Sequence, residues 1–130
     1  MQKFLPGVVP LLNRINILSA RSTFESRFPD SPQQWKYHAF TESIHNMLPL
    51  HGKRRAERNI MSFGDSHVER EAVQAVTKDT PDTLTKSIKF VERPSLEQLW
   101  RQLELVTNCF KDIVNHDGDL DLMLTISLFS

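Results

Sequence analysis

Asp65 and Glu69 are the residues whose type and spacing could do chemistry, with Ser66 between them in "IMSFGDSHVERE". An apolar run stops at Gly64, and a carboxylate follows at once. A carboxylate at a strand end is a hard oxygen ligand, suited to Mg²⁺, which takes one or two such groups plus waters and substrate phosphate. Glu69, four positions on, falls in the first turn of a following helix, where it can support the site or hold a metal-bound water. The same spacing also serves plain structure. Asp65 or Ser66 can cap the helix, and Glu69 can complement its dipole. On spacing alone both readings stay open, and capping is the commoner origin of such a pattern.

What decides between them is the set of elements that would carry these side chains. Residues 4–14 read as a short helix or turn, and "INILSA", Ile15 to Ala20, reads as a buried β-branched strand. "RSTFESRFPDSP" is polar and proline-bearing, hence a loop. Trp35, Ala39, Phe40, Ile44, Met47 and Leu48 then step by three and four, which predicts a helix opened by Ser31 and Pro32. Pro49 ends it, and "HGKRRAERN" is a charged connector.

"IMSFG" is a second short strand, and a helix is expected from His67 to Lys78. "TLTKSIKFVE" alternates as a half-buried strand. Ser95 and Gln98 form a capping-box pattern ahead of the longest helix, with an apolar stripe that runs from Leu96 to Val114. A turn and a last strand follow in "HDGDLDLMLTISLFS". Strands alternating with helices predict a parallel sheet with helices on its faces, and such sheets bind ligands at the carboxyl ends of their strands. Asp65 sits at one of those ends.

Composition sets outer limits. The 130 residues are one domain's worth, with 16 basic residues balancing 16 acidic ones. That balance offers no overall field for nucleic acid or an anionic membrane, so neither is expected as a partner. No stretch is apolar for the roughly 20 residues of a membrane span. A single cysteine, Cys109, leaves no internal disulfide and points to a reducing, cytoplasmic setting. The five histidines are scattered, and His38 and His45 do not make a zinc site without further ligands. Lys53, Arg54, Arg55 and Arg58 read as a solvated connector at the start of the strand that ends before Asp65. "DGDLD" lacks the positions of a calcium loop and reads as a turn. Trp35 and Trp100 are expected in the core. If part of the domain is absent, Trp100 would instead join Leu99, Leu103 and Phe110 in an exposed patch.

With these elements in order, "IMSFGDSHVERE" resembles the fourth motif of the haloacid dehalogenase-like hydrolases. "ILSARSTFESRFPDSPQQWKYHAF" resembles the stretch that carries their motif-three lysine, which Lys36 matches. "TLTKSIKFVERPSLEQLWRQLELV" is similar to a set of uncharacterised protist and algal members. The resemblance spans about Phe4 to Leu124. It implies a Rossmann-like three-layer sandwich with a short, mainly parallel sheet, and Mg²⁺-dependent phosphatase-type chemistry. Asp65 would be a metal ligand, Glu69 its support, and Lys36 the catalytic cation that neutralises charge on nucleophile and phosphate.

The departure from the family pattern is as informative as the match. The family's nucleophile sits in an Asp-x-Asp motif at the end of its first strand, and none precedes Asp65 here. The Asp-x-Asp at Asp119 follows a turn and lies on the wrong side of Asp65 in chain order. Ser19 could imitate the family's second motif, but one strand too late. The resemblance therefore implies a single partial domain, residues 1–130, corresponding to the C-terminal half of such a hydrolase. It would be a truncated or degenerate copy with no turnover of its own. The alternative is a non-catalytic α/β interaction module, self-associating or pairing through an exposed sheet edge.

Overall fold

Three serines begin helices in the computed structural model, which describes residues 7, 9–12, 14–47, 58–78 and 80–125. Ser19, Ser66 and Ser95 each accept a hydrogen bond from a backbone N–H of the first helical turn. A hydroxyl in that position satisfies one of the donors a helix start leaves unpaired. The helices so begun are α2 (Ala20–Phe24), α4 (His67–Thr77) and α5 (Leu96–Asn115). Two further helices are α1 (Val9–Leu12) and α3 (Pro32–Met47). Pro32 opens α3, where its missing N–H costs nothing.

The strands are β1 (Arg58–Gly64), β2 (Thr83–Lys89) and β3 (Leu120–Met123), in spatial order β1-β2-β3 with both pairings parallel. The register sets Ile60 beside Thr85 and Met61 beside Lys86, and then Lys86 beside Leu120. Parallel neighbours in register point to the same side, so each sheet face can be read off these pairs. On one face Thr77 of α4 bonds Thr85, and Arg70 of α4 bonds Asp121. On the other, Val106 and Ile113 of α5 pack on Ile88 and Phe90, with Met61 and Leu120 against them. Ala20, Phe24 and Ala39 form a second cluster between α2 and α3.

The fold is therefore a small three-layer α/β arrangement on a short, open, parallel sheet. The strands step in one direction while α4 and α5 lie on opposite faces, so the two crossovers have opposite hands. One of them departs from the right-handed form that about 98% of such connections take.

Several expectations are corrected. Ile15–Ala20 is not a strand: Asn16 to Ser19 have no regular structure, and Ile15, Ile17 and Leu18 are exposed. A β-branched run becomes a strand only where a partner edge accepts it, and here Ser19 starts α2 instead. The loop expected from Arg21 therefore begins as helix. β2 is not half-buried. Lys86, Ser87 and Ile88 are buried in succession because it is the central strand, covered on both faces.

Trp100 is 64% exposed rather than core, as are Leu103 and Phe110 to lesser degrees, while Leu99 packs inward. Trp35 is half-buried and donates its indole N–H to the Phe28 carbonyl at 2.7 Å. Leu48 and the basic residues Lys53, Arg54 and Arg55 lie outside the described residues. Among the described residues, no helix is long and apolar enough to cross a membrane.

Candidate functional site

β1 ends at Gly64, Asp65 follows as an exposed residue, and α4 starts at His67. This puts Asp65 and Ser66 at the carboxyl edge of the sheet. The turn is shaped by a reciprocal capping box. Ser66 Oγ accepts from the Val68 N–H at 3.0 Å, and the Ser66 N–H donates to Glu69 Oε2 at 3.2 Å. Each partner satisfies a donor the other leaves open.

Glu69 folds back over Gly64 to do this. A Cβ at Gly64 would stand 2.9 Å from the Cβ, Cγ and Oε2 of Glu69. Gly64 does not adopt a positive φ. What the position requires of glycine is therefore room for the Glu69 side chain, and not the sharp backbone turn that a strand-ending glycine suggests.

The second oxygen of Glu69 meets a residue from another helix. Lys36 Nζ of α3 lies 3.3 Å from Glu69 Oε1. The lysine side chain keeps 38% of its surface open while the glutamate keeps 17%. The ammonium is thus held at the edge of the site and still reaches solvent. Lys36 and Glu69, 33 positions apart in the sequence, are brought together by the packing of α3 on α4.

The carboxylates differ in what they have left to offer. Glu69 has a partner on each oxygen, so it suits an outer position that orients Lys36 and the helix start. Asp65, exposed at the strand end, is the carboxylate open to an ion. Among the described residues no cluster of three or more His, Cys, Asp or Glu side chains stands ready to hold a metal. For Mg²⁺, which takes one or two carboxylates and completes its shell with water and phosphate, Asp65 is the exposed carboxylate of this turn and Glu69 is already engaged on both oxygens.

The remaining candidates have structural partners. Ser19 Oγ accepts from the Ser22 N–H at 3.2 Å as a helix cap. Asp119 Oδ1 accepts from the Thr85 N–H at 2.8 Å, and Asp121 binds Arg70 through both carboxylate oxygens. That hydrogen bond holds the Asp121 carboxyl below the usual aspartate range and raises the Arg70 guanidinium. The Asp-x-Asp at Asp119 therefore fastens β3 to β2 and α4. His38 stacks on Phe28 at 4.4 Å between ring centroids.

Lys86 is the polar residue that sequence reasoning missed. It is fully buried, and its Nζ donates to the carbonyls of Ile113, Val114 and His116 at 2.6, 2.9 and 2.9 Å. It caps the C-terminus of α5, where a cation meets the negative end of the helix dipole. The signal available was a lysine at the middle of a strand, two residues before Ile88 and four before Phe90 on the same face. No family model, curated protein or solved structure matches this chain.

Proposed function

We propose that this chain carries the lysine-and-acid half of a haloacid dehalogenase-like phosphohydrolase site and does not turn over a phosphate ester by itself. The observation that carries this reading is the 3.3 Å approach of Lys36 to Glu69 beside Asp65, at the carboxyl edge of a parallel sheet. The resemblance requires a lysine from one helix and an acid from the next strand–helix turn to meet, and nothing local in the sequence forces that meeting.

In this reading Asp65 presents its carboxylate to a magnesium ion, and Lys36 offers a fixed positive charge to a phosphate oxygen. Glu69 holds the lysine and the helix start in place. The ion, when bound, supplies charge neutralisation at the phosphate. The covalent step needs an aspartate nucleophile at a neighbouring strand end. β2 ends in Lys89 and β3 in Met123, so neither offers one. A strand bearing that aspartate would pair with the outer edge of β1. Beside it runs a groove of about 300 Å³, lined by Phe40, Ile44, Ile60 and Val73 among others. The lone Cys109 thiol suits a cytoplasmic setting for the same protein.

The test has two arms. Incubation with Mg²⁺ and p-nitrophenyl phosphate should give no turnover. A rate that survives rigorous repurification and vanishes in Asp65→Asn would refute the inactivity. Titration of inorganic phosphate with Mg²⁺, followed by NMR shifts, should perturb residues 64–69 and weaken at least severalfold in Asp65→Asn and Lys36→Met. Shifts that ignore both substitutions would refute the half-site.

A further inference from the structure

α5 carries two apolar stripes, of which only one is used by the fold. Leu99, Val106, Cys109 and Ile113 face the sheet. The second stripe runs Leu96, Trp100, Leu103, Thr107, Phe110 and Val114, with alternating steps of four and three. That is the 3.5-residue period with which one helix meets another along its length. At 100° per residue the second stripe is centred about 100° around the helix from the buried one. Leu96 is 85%, Trp100 64%, Leu103 46% and Phe110 43% exposed. Four large apolar side chains aligned on one helix, broken only by Thr107, differ from the scattered exposed leucines of an ordinary surface.

We infer that this seam is a self-association surface, occupied by the α5 helix of a second copy running antiparallel. The sequence of the seam carries the choice of occupant. About a two-fold axis that crosses the seam at the level of residue 105, Leu96 lies opposite the partner's Val114, Trp100 opposite the partner's Phe110, and Leu103 opposite the partner's Thr107. Each layer pairs a larger with a smaller or comparable side chain and occurs twice, as an isologous interface demands.

The flanking charges choose the same direction. The solvent-side flank of the seam carries Glu97, Glu104 and Lys111. Antiparallel pairing sets Glu97 beside the partner's Lys111 on both sides of the axis, and it brings only the two Glu104 carboxylates together at the centre. A parallel pair gains no such match. Its charges would lie along Leu99, Val106 and Ile113 of the other copy, which are turned into the core. The inference stands apart from the phosphohydrolase reading, since none of its residues touches Lys36, Asp65 or Glu69.

Sedimentation of the whole 130-residue chain should show a concentration-dependent monomer–dimer equilibrium. Leu103→Glu should abolish it while leaving the far-UV circular dichroism in place, and the thermal midpoint too at concentrations where the parent is monomeric, because Leu103 is outside the core. Glu97→Lys and Lys111→Glu should each weaken the dimer about tenfold, from two attractive pairs turned repulsive. The double variant should recover most of that loss. The intrahelical Glu97–Arg101 pair is lost in Glu97→Lys and in the double variant alike, so the recovery reports only the contact between copies. Glu104→Gln should tighten the dimer. A chain that stays monomeric to about 1 mM, a dimer indifferent to Leu103→Glu, or a double variant no better than the single ones would each overturn the inference.

Discussion

The side chain of Glu69 occupies the space that a Cβ on Gly64 would need, 2.9 Å from three of its atoms. Strand end and helix start are therefore one fitted unit. Gly64→Ala should force Glu69 out of its capping position, because the clash involves the helix-borne Glu69 Cβ as well as the movable carboxylate. The expected loss is about 1–3 kcal/mol from overpacking and a broken cap. Urea unfolding checks it, with Glu69→Ala as companion: the double variant Gly64→Ala/Glu69→Ala should lose less than the sum of the singles, since two of the three close contacts are gone and the cap is broken only once.

Lys86 makes its own prediction. Three carbonyls at the end of α5 share one buried ammonium, and among the described residues no carboxylate contributes. Lys86→Met keeps the length of the side chain and removes every donor. Stability should fall by about 2–3 kcal/mol, the scale of leaving buried acceptors unpaired. Amide exchange should accelerate first at residues 112–116, ahead of the N-terminal half of α5.

The Arg70–Asp121 pair ties the first crossover helix to the last strand. Because the guanidinium lowers the Asp121 pKa in the folded state, the pair's stabilisation is fully present above the ordinary aspartate value near 3.9. It is lost as pH falls through the lowered folded value. Asp121→Asn should therefore be the less stable protein at neutral pH, with a shallower decline between about pH 4 and pH 2. Denaturant midpoints measured across that range check the slope. A variant that declines in parallel with the parent would show the pair to be without effect.

Much of the secondary structure was legible because its determinants are local. Pro32, Ser66 and Ser95 begin their helices where the sequence says they should, and the apolar spacing from Leu96 to Ile113 forms one long helix. The capping box of Ser66 with Glu69 needs only residues three apart. Strand propensity was less reliable. "INILSA" and "IMSFG" look alike in sequence, yet β1 pairs with β2 while Ile15–Ser19 pairs with no strand of the sheet. A strand is completed by its neighbour, and the neighbour is not written in the run itself.

By itself, then, the sequence determined the starts of α3, α4 and α5, the parallel α/β class, and the nearness of Asp65, Ser66 and Glu69 along one turn of chain. The tertiary structure decided which residues from distant segments meet. It set Lys36 on Glu69, drew Lys86 beneath the end of α5, and tied Asp121 to Arg70. It also split the apolar positions of α5 into a buried stripe and an exposed one, because a flat sheet covers only one side of a helix. Periodicity marks a side chain as apolar, and only packing determines what will cover it.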